Sequence, residues 1–138
     1  VYIAHGWMLG LASELLVDRE PEAWERGLVF PSLREQFKLS GSKPLKDLIR
    51  ENDDNPFAFF GNKNRGDVFA AKLTEYEKKV IDHVWSRYGH MGAFHLSDLT
   101  HMPSTPWSQI YEGGVGRNDT IPNKMIQSHY RELATVAN

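Results

Sequence analysis

Apolar and polar positions divide the chain into short blocks, most with helical spacing. Residues 1–13 contain no Asp, Glu, Lys or Arg. Ile3, Trp7 and Leu11 recur at i, i+4, i+8, while Tyr2, Leu9 and Ala12 cover the other faces. A helix apolar on nearly every side is one that gets buried. Leu15-Leu16-Val17 and Gly27-Leu28-Val29-Phe30 bracket a polar stretch and predict a small β-hairpin or two extended pieces. Pro31 suits a first helical turn and opens a helix to about Leu39, which Gly41-Ser42 ends. Pro44 opens another short helix to Arg50. Residues 51–65 form a loop of turn formers around the cluster Phe57-Ala58-Phe59-Phe60.

The clearest element starts at Thr74. Thr74-Glu75-Tyr76-Glu77 is a capping box, in which hydroxyl and carboxylate each satisfy a free first-turn amide. Tyr76, Val80, Ile81, Val84, Trp85 and Tyr88 follow as a core stripe, and Gly89 supplies the stop. A shorter helix covers 93–101. Thr105-Pro106 caps and opens one over 107–112, and Gly113-Gly114-Val115-Gly116 is a flexible connector. Pro122 opens a last helix with Met125, Ile126, Tyr130 and Leu133 on one face. The expected architecture is a mainly α, single compact domain over 1–138, with about six or seven helices and one small β-hairpin.

Composition narrows the functional classes. Four Trp, five Tyr and seven Phe supply enough apolar mass for a packed core. No cysteine is present, which removes disulfides, thiolate metal sites and Cys nucleophiles. Sixteen cations against eighteen carboxylates leave a formal charge of -2, with no one-sided stretch to steer the chain to nucleic acid or an anionic membrane. The most apolar run, residues 1–12, is shorter than the roughly 18 residues of a membrane span. It also lacks the basic start and cleavage site of a signal peptide, so a cytoplasmic protein is expected. The chain opens on Val1 inside an apolar pattern, and the first helix reads as truncated at its N-terminus.

Candidate chemistry is sparse. His83, His90, His95 and His101 cluster in sequence, with His5 and His129 apart, but no His-x-x-x-His or His-Glu-x-x-His spacing occurs. Ser97, Asp98 and His101 are local to one helix, where Ser and Asp serve its N-terminus and His its C-terminal carbonyls. The glycine run at 113–116 lacks the Lys-Ser/Thr of a phosphate loop. The helices at 74–88 and 93–101 have helix-turn-helix proportions. Residues 93–102 hold no Lys, Arg, Asn or Gln to read DNA, so nucleic acid is disfavoured. No catalytic residue, metal ligand or cofactor is expected. What remains is protein binding, with Phe57, Phe59 and Phe60 on the loop and Trp107 and Tyr111 on a short helix as aromatic anchors.

Several runs resemble one family in order. They are Tyr2-Ile3-Ala4-His5-Gly6-Trp7, Gly27-Leu28-Val29-Phe30-Pro31-Ser32-Leu33, Leu73-Thr74 with Val80-Ile81, Val84-Trp85 and Tyr88-Gly89, and Leu96-Ser97-Asp98-Leu99-Thr100-His101 before Thr105-Pro106-Trp107, then Ile126 and Tyr130. The series resembles the Panacea domain of SocA-like antitoxins and phage-associated GepA-type proteins, over nearly the whole chain. Gly27-Leu28-Val29 departs from the family's frequent Gly-Pro-Val, and 52–72 follows no family pattern. The residues that usually precede the Tyr-x-Ala-His-Gly-Trp motif are missing. The resemblance implies an antitoxin that neutralises a cognate toxin by direct contact, such as a small alarmone synthetase or another translation-blocking toxin. It also implies an alternative, an adaptor that delivers the toxin to a protease. A helix-turn-helix regulator is the remaining alternative. The family brings no catalytic residues to carry over.

Overall fold

The computed structural model describes residues 1–38 and 71–136. The chain divides into two compact units, Val1–Gln36 with Thr74–Asn138, and Phe37–Leu73. The elements described here belong to the first, except for Phe37 at the end of the helix Pro31–Phe37. Residues 41–42, the short helix at 44–50 and the loop at 51–65 lie outside the described residues. In chain order the elements are α1 (Tyr2–Ala12), β1 (Glu22–Trp24), β2 (Gly27–Val29), α2 (Pro31–Phe37), α3 (Glu75–Tyr88), α4 (Ala93–His101), α5 (Pro106–Tyr111) and α6 (Asn123–Val136). The described residues thus form a mainly α fold of six helices and one two-stranded sheet, as the periodicity predicts.

The apolar first block is the buried helix. Along α1, Trp7, Met8 and Leu9 are almost fully enclosed. Its main partner is α6, at the other end of the chain. The two axes approach closely because α1 offers glycine where they meet: a Cβ on Gly6 would lie 2.1 Å from the Tyr130 ring, and one on Gly10 would lie 2.8 Å from Tyr130 Cβ. Tyr130 meets Tyr2 edge-on at 6.0 Å and Trp7 at 5.4 Å. Burial pushes both the Tyr2 and Tyr130 hydroxyls above the usual phenol range. On α6, Ile126 and Tyr130 are buried as expected, while Leu133 at the end of the face is 37% exposed.

The hairpin corrects the expectation in one strand. β2 falls within the predicted run, but its partner is Glu22–Trp24 and not Leu15-Leu16-Val17. Leu15 is 51% exposed, and the Val17 N–H bonds to a side chain instead of a ladder. β1 is held from both sides. Glu22 and Trp24 pair with Val29 and Gly27. Between them, Ala23 donates to Asp119 O at 2.8 Å and accepts from the Asn118 N–H at 2.7 Å. A three-residue strand carries too little period-2 signal to be seen locally. Its second set of partners comes from the far end of the chain.

α3 has the predicted capping box: Thr74 Oγ1 accepts from the Glu77 N–H (3.2 Å), and Glu77 Oε2 accepts from the Thr74 N–H (2.7 Å). The stripe behind it is only partly core. Val80 is 4% exposed, whereas Tyr76 is 46% and Trp85 is 74% exposed. At 100° per residue, Val80 to Trp85 spans an arc of about 140°. α1 covers one side of that arc: Trp7 Nε1 donates to the Tyr88 hydroxyl (3.3 Å), His83 meets the Trp7 ring edge-on (6.0 Å), and the Arg87 guanidinium lies 5.3 Å from its centre. The stretch at 113–116 is also more ordered than a flexible connector, since the Gly116 N–H bonds Tyr111 O (3.1 Å) and the Asp119 N–H bonds Gly116 O (3.0 Å).

Candidate functional site

Of the polar residues singled out for chemistry, His83 and His101 pack against the rings of Trp7 and Trp107. Among the described residues, no three His, Asp or Glu side chains converge as metal ligands would. His101 bonds the Ser97 carbonyl one turn back in α4, a C-terminal capping role. Its ring packs on Trp107 at 4.4 Å, and its other side faces Gly27, where a Cβ would come within 2.7 Å of the imidazole. Gly27 has φ of +130°, so glycine is required there twice over.

Trp107 and Tyr111, two of the predicted anchors, are packed together. Their rings stack at 4.6 Å and 17°. Trp107 is half-buried and its Nε1 donates to Trp24 O (2.8 Å), tying α5 to the hairpin; Tyr111 is buried. Thr105 caps α5 through the Ser108 N–H, with Pro106 in the first turn, as the Thr-Pro pair predicts. Phe57, Phe59 and Phe60 lie outside the described residues.

The surface that stands out was not singled out by the sequence. A groove of about 700 Å³ opens between the start of α1, β2, α3 and α4. Ile81, Val84, Trp85 and Tyr88 line it from α3, and Ala93 and Leu96 from α4. Among the described residues, Arg26 is its one lining side chain with a fixed charge, and no carboxylate lines it. Beside Ala93, Phe94 is 83% exposed. Two large aromatic residues, Trp85 and Phe94, therefore face outward on adjacent helices. The signal was present as the width of the α3 arc, more apolar surface than one neighbouring helix covers. The lining is mostly apolar and offers apolar recognition; its polar members from α4 are Ser97, Thr100 and His101, with Ser97 Oγ 3.5 Å from His101 Nδ1.

The scaffold motifs decide the family. The profile of the antitoxin SocA-like Panacea domain matches residues 1–108. The chain belongs to this family. The match runs from α1 into the first turn of α5, so the hairpin, α3, α4 and the His101–Trp107 contact all lie in the shared part of the Panacea domain. α6, which closes over Gly6 and Gly10, lies beyond it. No curated protein and no solved structure matches the chain. Membership gives this Panacea domain an antitoxin-type role with a toxin as its general partner, and the family points to a role other than catalysis. No helix among the described residues is long and apolar enough to cross a membrane.

Proposed function

We propose that this Panacea domain neutralises its cognate toxin by direct protein–protein contact in the cytoplasm, without a catalytic step of its own. The observation that carries the reading is the family match over residues 1–108. The exposed aromatic residues support it. Aromatic side chains dominate interface hot spots, because each removes a large rigid area from water. Trp85 and Phe94 are such residues on α3 and α4, beside the apolar groove. Phe57, Phe59 and Phe60 form a second set of anchors, proposed from sequence. Trp107, half-buried, is proposed as a further anchor, with Tyr111 stacked on its ring and holding it in place. The toxin proposed is a small alarmone synthetase or another protein that blocks translation.

The test is co-expression of the full chain with the product of the neighbouring gene. Rescue of growth by the wild-type chain, with recovery of a stable complex, is expected. A Trp85→Ser/Phe94→Ser variant is expected to fold and to lose rescue. Both positions are exposed, so the stability change should stay within about 0.5 kcal/mol each. A neighbour that is harmless alone, or still lethal beside the wild-type chain, overturns the antitoxin reading. Full rescue by the variant moves the contact away from α3 and α4, and Phe57→Ser/Phe59→Ser/Phe60→Ser then tests the other set. Rescue that disappears in a host lacking its energy-dependent proteases overturns direct blocking in favour of delivery.

A further inference from the structure

His5 is fully buried in the first turns of α1, and both its ring nitrogens are bonded. Nδ1 lies 3.2 Å from the Val17 backbone nitrogen, and Nε2 lies 2.9 Å from Asn123 Oδ1. A backbone N–H can only donate, so Nδ1 accepts and carries no proton. The neutral ring holds its proton on Nε2 and donates it to Asn123. The Asn123 backbone N–H in turn donates to Glu20 Oε1 at 2.9 Å. One imidazole therefore joins α1, the irregular segment 13–20 and the first turn of α6.

We propose that His5 is a proton-operated latch, whose protonation releases residues 13–20 from α1. A proton from solvent can add only at Nδ1. The new N–H then points at the Val17 N–H, two donors with no acceptor between them, and one must move. The contact from Nε2 to Asn123 survives, so the break falls on the segment and not on α6. The groups against the ring are the Asn123 amide from α6, the Val17 amide from the segment, and the edge of the Phe30 ring at 5.7 Å after β2. None is charged. The carboxylate tied to the cluster, Glu20, reaches it through the Asn123 backbone. Burial holds the His5 imidazole below its ordinary range, so the ring is neutral at neutral pH and the latch closed. The segment forms no helix or strand, and Leu15 within it is half exposed. Its ends are held by the Ser13 N–H on Leu9 O and by Glu20 on the Asn123 N–H, and Leu16 and Val17 pack partly on the core. Beyond Ser13, the His5 bond is its tie to α1.

Proton and nitrogen magnetic resonance on the full chain tests this, titrated from about pH 8 to about pH 5, across the ordinary imidazole range. The His5 ring is expected as the Nε2–H form at the upper end. On acidification the Val17 amide should lose its exchange protection at the ring's own midpoint, below 6.5, while the α3 amides keep theirs. His5→Gln keeps one acceptor and one donor but no titrating nitrogen. In it the Val17 amide should stay protected through the range. An Nδ1–H ring at neutral pH overturns the latch, as does a ring that titrates while Val17 is unaffected. So does the same acid response in His5→Gln. If that variant does not fold, the wild-type ring form and shared midpoint decide the matter alone.

Discussion

Substituting Gly6→Ala should damage the main seam of the fold. The added Cβ would sit 2.1, 2.4 and 2.5 Å from three atoms of the Tyr130 ring. Ordinary contact between carbons begins near 3.5 Å, so ring or helix must retreat by about 1 Å or more. The ring has nowhere to go. It is 4% exposed and already meets Tyr2 and Trp7 edge-on. α6 must therefore move off α1, or the ring must leave its rotamer. Overpacking of this kind costs about 1–3 kcal/mol, and three simultaneous clashes argue for the upper end. Alanine returns about 1 kcal/mol of helix propensity. The net loss is then about 2 kcal/mol, which lowers Tm by roughly 8 °C in a chain of this size. Urea unfolding of the full chain reads it directly as a lower midpoint at unchanged slope. In a Tyr130→Leu background the same substitution should cost less than about 0.5 kcal/mol, because the clash is gone. A Gly6→Ala chain as stable as wild type would refute the close approach of α1 and α6. An equal cost with and without the Tyr130 ring would refute the ring as its cause.

Three further outcomes test other parts of the structure. Thr74→Ala removes one arm of the α3 capping box and should cost about 1 kcal/mol, read as a lower urea midpoint; no change would mean that the box closes without the hydroxyl. Gly92 caps α4 with extended backbone and no side-chain bond, and a Cβ there meets nothing within 4 Å. Gly92→Ser should therefore stabilise by roughly 0.5 kcal/mol, through a new cap and a less flexible unfolded chain, with a higher thermal midpoint as the readout. Burial lowers the affinity of His5 and His129 for protons in the folded chain, so the unfolded chain binds more of them below pH 6.5. Stability from these groups is complete above that value and falls on acidification; a urea midpoint higher at about pH 5.5 than at about pH 7.5 would contradict this.

What could be read along the chain was whatever is decided within a turn or two. The Thr74 box, the Thr105-Pro106 start of α5 and the apolar wrap of α1 each depend on neighbours three or four residues away. Each stands in the structure where those neighbours predict. The family was legible for a related reason. Gly27, His101 and Trp107, among the residues that carry the resemblance, lie within the matched stretch and pack on one another.

The positions that sequence alone misplaced are those whose environment comes from elsewhere in the chain. Glu22–Trp24 is a strand because 118–120 and β2 bond it from both sides, while the more apolar Leu15-Leu16-Val17 finds no ladder. Trp85 is as hydrophobic as Val80 and shares its helix, yet one is 74% and the other 4% exposed. Periodicity states which residues could be buried together. Only the placement of α1 against one side of α3 decides which of them are, because burial belongs to the pair of surfaces and not to either helix alone.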